Sequence, residues 1–134
     1  MKGLDSNLLV RFATRDDPAQ AEMVQQLMAR AEAAGERFHL STPVLCELVW
    51  VLSGRRYNLH REAVARVLET ILAIPLFEVQ ERRLAILALA EFREGPGDFA
   101  DYLLSWIDRA AGCDATLTFD TELKSCSRFH VLDV

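Results

Sequence analysis

Five acids stand where a carboxylate is either a helix cap or a chemical tool: Asp5, Glu47, Asp98, Asp101 and Asp120. Asp5 follows a short apolar start and precedes Ser6-Asn7. Glu47 lies inside VLCELVWVL with no basic residue near it in sequence, and a buried carboxylate without a partner is costly. Asp98 and Asp101 open the run DYLLSWIDRAA, and Asp120 ends the run ATLTF. If Asp5, Glu47, Asp101 and Asp120 met without cationic partners they would repel one another. A hard divalent cation relieves such repulsion, and oxygen-only ligands suit Mg²⁺ or Mn²⁺. An ion of that kind activates water and stabilises a phosphoryl transition state. Each acid also has a plain structural reading. Asp5 and Asp120 can cap helices, Asp98 and Asp101 can complement a helix dipole, and Glu47 can mark the solvent edge of its helix. Asp16, Asp17, Asp108, Asp114 and Asp133 read as surface or turn acids.

The elements that would position these acids follow from periodicity and punctuation. Residues 2–4 read as a strand, and Asp5, Ser6 or Asn7 as the cap of a short helix through LLVRF. A helix follows Pro18 and ends at Gly35, and RFHLS is a second strand. Thr42 reads as the N-cap of the apolar helix PVLCELVWVLSG, with Pro43 at its first position. Residues 60–73 and 81–94 are helical, with the strand PLFEV between them. Gly95-Pro96-Gly97 breaks the chain before the next helix, which Gly112 stops. ATLTF reads as a buried strand, followed by a short helix and a last strand, HVLDV. Alternation of this kind predicts an α/β/α sandwich: a mostly parallel sheet of about five short strands with helices on both faces. In such sheets ligands bind outside the carboxyl ends of the strands, where Asp5 and Asp120 would lie.

Bulk properties narrow the possibilities. A chain of 134 residues, 51% of them hydrophobic, is expected to be one folded domain over residues 1–134. No apolar run is long enough to span a bilayer, and MKGLDSNLLVRF is a poor signal peptide, which points to the cytoplasm. Cys46, Cys113 and Cys126 form no CxxC pair and read as reduced thiols, with Cys46 buried and inert in its apolar helix. His39, His60 and His130 show no ligand spacing. The net charge of −5 argues against a generic nucleic-acid binder, an objection that a metal offsetting the acids would weaken.

With these residues in view, the chain resembles the PIN-domain ribonucleases of the VapC toxin type. The resemblance covers essentially the whole chain. It is carried by GLDSNLLVRF, TPVLCELVWVL and GDFADYLLSWIDRAAGCDATLTFD, in that order and spacing. It implies a PIN-like fold and an endoribonuclease that depends on Mg²⁺ or Mn²⁺. It also implies an RNA substrate, a cognate antitoxin protein that neutralises the enzyme, and a homodimer. The family's acids fall on Asp5, Glu47, Asp101 and Asp120, implied as metal ligands and catalytic residues. Asn7 and Thr118 match the polar residues flanking the first and fourth acids, and Asp98 is expected to support the ligands from behind. From loop position, Arg11, Arg15, Arg55 and Arg56 are expected to meet RNA.

Other readings of the same alternation exist. A receiver-like signalling domain wants paired acids after its first strand and a lysine after its last. Here Asp5 is followed by Ser6-Asn7, and Lys124 precedes the final strand. A haloacid-dehalogenase-like phosphatase wants a second Asp where Asn7 stands. A non-catalytic α/β signalling or binding module on the same scaffold is the remaining alternative, because fold does not fix function.

Overall fold

The computed structural model describes residues 1–133. The chain divides into two compact units, residues 1–82 and residues 83 onward. Both alternate short strands with helices.

In the first unit the order is β1 (Lys2–Gly3), α1 (Ser6–Thr14), α2 (Pro18–Ala34), β2 (Phe38–Leu40), α3 (Thr42–Ser53), α4 (Arg61–Leu72) and β3 (Phe77–Val79). The strands pair parallel in the order β1-β2-β3, with Phe38 opposite Lys2 on one side and Phe77 on the other. Parallel neighbours require crossover connections, and each crossover here is a pair of helices. Phe38, Leu40, Phe77 and Val79 are buried on one face of the ladder, and His39 and Glu78 on the other are half-buried. On α3, Leu45, Leu48, Val49 and Leu52 are buried. Their i, i+3, i+4, i+7 spacing is one helical stripe, and it leaves Glu47 and Trp50 exposed.

The second unit runs α5 (Arg82–Glu94), α6 (Phe99–Ala110), β4 (Thr116–Thr118), a 3₁₀ turn (Thr121–Ser125) and β5 (Phe129–Val131). β4 and β5 pair parallel, Thr116 opposite Phe129 and Thr118 opposite Val131. Ala85, Ala88, Leu89 and Phe92 of α5 are buried, as are Phe99, Tyr102 and Leu103 of α6. Phe92 meets Phe99 edge to face, with ring centres 6.3 Å apart.

The expected α/β/α architecture is present, with a parallel sheet and helices on both sides. The differences are local. The five strands pair as a ladder of three and a ladder of two; with two or three residues per strand, each ladder rests on very few backbone bonds. ATLTF is not buried: Leu117 is 65% and Phe119 67% exposed. Strand side chains alternate, so Thr116 and Thr118 take the half-covered face and the two apolar residues take the open one. Ser41, not Thr42, is the N-cap of α3, because Thr42 already has helical geometry. Cys46 is half-buried, since it flanks the buried stripe beside exposed Glu47. The expected strand 130–134 is Phe129–Val131, and Val134 lies outside the described residues. None of the described helices is long and apolar enough to cross a membrane.

Asp16, which reads in sequence as a surface acid, joins α1 to the turn between α3 and α4. Its carboxylate accepts from Arg11 Nη1 at 3.0 Å, Thr14 Oγ1 at 2.8 Å, Arg56 Nη2 at 2.7 Å and the Tyr57 hydroxyl at 2.6 Å. The Tyr57 bond is the largest cause, ahead of Thr14, Arg56 and Arg11, holding its pKa down at about 2 against an ordinary 3.8. A depressed carboxyl pKa contributes stability that is present above the ordinary value and is lost as pH falls through the folded one. We therefore predict that Asp16→Asn melts below wild type at pH 7, and that the gap closes between about pH 4 and pH 2. Thermal melts across that range check it; a gap that does not change with pH would mean that Asp16 contributes shape rather than charge.

Candidate active site

Asp5 is placed by the turn from β1 into α1. It is the N-cap of α1, its Oδ1 accepting from Leu8 N–H at 3.0 Å. One residue on, Ser6 Oγ donates to Glu47 Oε2 at 2.8 Å, which fixes the α3 carboxylate beside the start of α1. Asp5 and Glu47 are both exposed. Among the described residues neither forms an ion pair with a basic side chain.

In the second unit Tyr102 shapes the approach to α6. Its hydroxyl accepts from Gly97 N–H at 3.0 Å, in a buried bond. A Cβ on Gly95 would overlap that hydroxyl, and one on Gly97 would come within 2.7 Å of Leu123 and 2.9 Å of the Tyr102 ring. The glycines are thus required by close approach, not by an unusual φ. The turn delivers Asp98 as the N-cap of α6, with Oδ1 accepting from Phe99 N–H at 2.8 Å. Asp101 Oδ2 accepts in return from Asp98 N–H at 3.2 Å, completing a capping box. Asp120 follows β4, caps the 3₁₀ turn through Glu122 N–H at 2.9 Å, and donates its own N–H to Thr118 Oγ1 at 3.0 Å.

Asp101 is the electrostatic centre of this half. Burial pushes its pKa up, and the charges of Asp98 and Asp120 push the same way, opposed by the hydrogen bond from the Asp98 backbone. Asp101 is therefore close enough to both Asp98 and Asp120 to sense their charge. Among the described residues, no three His, Cys, Asp or Glu side chains are grouped closely enough to hold an ion as they stand. The donor chemistry nonetheless suits a hard divalent cation. Asp101 and Asp120 offer oxygen only, repel one another, and have no ion-pair partner among the described residues.

The other expected residues are placed as follows. Thr118 holds Asp120 through its backbone N–H, and Asn7 is exposed on α1. Arg11 and Arg56 both bind Asp16; Arg11 also donates to Gln20 at 2.6 Å, while the Arg56 side chain stays 63% exposed. Arg15 and Arg55 are exposed. Ser6, a candidate helix cap in the sequence, instead binds Glu47, and Tyr102 is a further residue that shapes the site. Ser6 had a signal, its place directly after Asp5, but a partner 41 residues away leaves no periodic trace. Tyr102 could have been found from the two glycines just upstream.

The sequence pattern of the PIN domain matches residues 3–128, running through both units. A VapC ribonuclease from Aquifex aeolicus (strain VF5) is 28% identical over 124 residues, covering 92% of this chain and 90% of that protein.

Asp101 lends itself to a stability test. A carboxyl whose folded pKa is raised contributes stability that is full below the ordinary 3.8 and is lost as pH rises through the folded value. Asn in its place keeps an oxygen for the Asp98 N–H and removes the charge. We predict that metal-free Asp101→Asn is more stable than wild type at pH 7. Its advantage should shrink as pH falls towards 4. Chemical unfolding in chelator at several pH values measures this; a variant less stable than wild type at pH 7 would show that the ionised cap outweighs the repulsion.

Proposed function

The chain belongs to the PIN-domain family, and from that premise we propose that it is a divalent-metal-dependent endoribonuclease of the VapC type, the toxin of a type II toxin–antitoxin pair. The observation that carries this reading is the state of Asp101: partly buried, pressed by Asp98 and Asp120, and without a cationic partner among the described residues. A carboxylate kept in that condition is suited to a cation that arrives from outside.

In this proposal the two units make up one PIN domain, and Asp5, Asp101 and Asp120 hold Mg²⁺ or Mn²⁺, with Glu47 as a further ligand or as the group that orients the attacking water. A bound ion of this class lowers the pKa of water and stabilises charge developing on the phosphoryl oxygens. The protein's own groups do the rest. Glu47, fixed by Ser6, accepts a hydrogen bond from the water that attacks phosphorus as the bond to the leaving oxygen breaks. Asp98 and Thr118 keep Asp101 and Asp120 in place through the backbone bonds described above. Arg15, Arg55 and Arg56 are exposed cations that would meet RNA.

The relative's name extends the proposal to partners. The substrate is RNA, the regulator is a cognate antitoxin that places an Arg or Lys against Asp5 and Asp101, and the protein acts in the cytoplasm as a homodimer. The receiver-like alternative is not favoured, since Lys124 lies in the 3₁₀ turn before β5, not after the last strand.

Cleavage of single-stranded RNA by the purified protein tests this. We expect cutting with Mg²⁺ or Mn²⁺, none in EDTA, and a loss on the order of a hundredfold or more in Asp101→Asn. RNA cut equally well in chelator, or by Asp101→Asn, would contradict the metal mechanism.

A further inference from the structure

The second unit carries a polar cavity that the acids do not use. It has a volume of about 370 Å³ and opens where α6 ends and the chain turns into β4, with the approach to β5 as its other wall. Ser105, Arg109, Cys113, Asp114, Thr116 and Arg128 contribute to its lining.

Arg128 is the fixed element of the cavity. Its Nε donates to Ser105 Oγ at 3.0 Å and its Nη2 to Glu91 Oε1 at 2.5 Å, and its guanidinium lies 3.8 Å from the centre of the Trp106 ring. The Trp106 indole N–H donates to the same Glu91 oxygen at 2.6 Å, and the Arg128 side chain is only 10% exposed. An arginine has five N–H donors in a rigid fork. Here the fork is locked before any ligand arrives, with donors still unengaged. Arg109 is the exposed element: it lies 6.0 Å from the Trp106 ring centre and is in no ion pair among the described residues.

Glu91 offsets the charge of Arg128, with which it pairs, and Asp108 accepts from Thr116 Oγ1 at 2.7 Å. That leaves Asp114, exposed on the lining, against the guanidinium of Arg109. The Ser105 and Thr116 hydroxyls donate to the Tyr102 carbonyl and to Asp108, so the donors left to a tetrahedral oxyanion are those of Arg109 and the remaining Nη1 of Arg128.

Its position on α6 selects the source of that anion. Asp101 and Arg109 stand two turns apart on α6, on either side of Ser105, which is buried. Eight residues of helix span about 12 Å. At about 3.4 Å of rise per nucleotide in a stacked strand, that is three or four nucleotides. We propose that the Arg109–Arg128 cavity is a phosphate subsite for single-stranded RNA, three or four nucleotides along the strand from Asp101. The inference rests on the ribonuclease reading of Asp101.

Cys113 reports on occupancy directly, because its thiol is exposed on the lining. The experiment alkylates the wild-type protein with iodoacetamide in EDTA, which prevents cleavage, and reads Cys113 modification by peptide mass. The probes are a fluorescent six-nucleotide RNA, inorganic phosphate and adenosine 5′-monophosphate. The six-mer should protect Cys113 at concentrations where the two small anions do not. Arg109→Gln should weaken six-mer binding by about fivefold to tenfold and flatten the dependence of log affinity on log salt by about 0.7, the share of one phosphate on a single strand. Asp114→Asn should tighten it. Protection by phosphate or the mononucleotide but not by the six-mer would overturn the subsite in favour of a free-anion site. No protection by any probe, or an Arg109→Gln variant that binds RNA as wild type does, would overturn it outright. Cleavage with Mg²⁺ is scored on the same preparation. Loss of the subsite with cleavage intact refutes this inference alone, and protected Cys113 without cleavage refutes the ribonuclease reading.

Discussion

Backbone N–H groups at the starts of helices hold Asp5, Asp98, Asp101 and Asp120. Asp5 takes the Leu8 N–H of α1, Asp98 and Asp101 share the first turn of α6, and Asp120 takes the Glu122 N–H of the 3₁₀ turn. A helix start offers unpaired N–H groups and a positive dipole end. It can therefore fix a carboxylate without a lysine or arginine that would neutralise it. The consequence is visible at Asp101, where burial and two like charges oppose ionisation. At Asp101 that placement comes at a cost to the stability of the metal-free protein.

The rest of each unit serves that placement. In the first, Ser6 ties Glu47 to the start of α1, and the Asp16 cluster ties the end of α1 to the turn after α3. Both ends of α1 are therefore held, one by a site residue and one by a charge cluster. In the second unit, Tyr102 sits under the glycine turn and sets the angle at which α6 begins. The far end of the same helix carries the Trp106–Arg128–Glu91 stack. On the proposed reading α6 is a ruler, with the acids at one end and a phosphate contact at the other.

Much of this was legible in the residue order because caps and periodicity are local. Asp5 before LLVRF, Pro18 after Asp17, and Asp98 with Asp101 three residues on all announce helix starts, and each is found there. The buried stripe of α3 and the exposure of Glu47 follow from the same 3.6-residue repeat. What stayed hidden was long-range. Asp16 looks like a turn acid until Arg56 and Tyr57, some 40 residues away, fold onto it. Asp108 looks solvated until Thr116 reaches it. The exposure of Leu117 and Phe119 could not be read from β-propensity, which reports that a strand forms and not which of its faces is covered.

The central claim is that Asp101 and Asp120, which sense one another's charge, act on one ion. Titration calorimetry of Mn²⁺ into wild type, Asp101→Asn, Asp120→Asn and the double variant measures this most directly. The account predicts one shared site: each single change removes most of the binding, and the double variant loses little more than either, so the cycle is strongly non-additive. Losses that simply add, or binding left intact by Asp120→Asn, would contradict it.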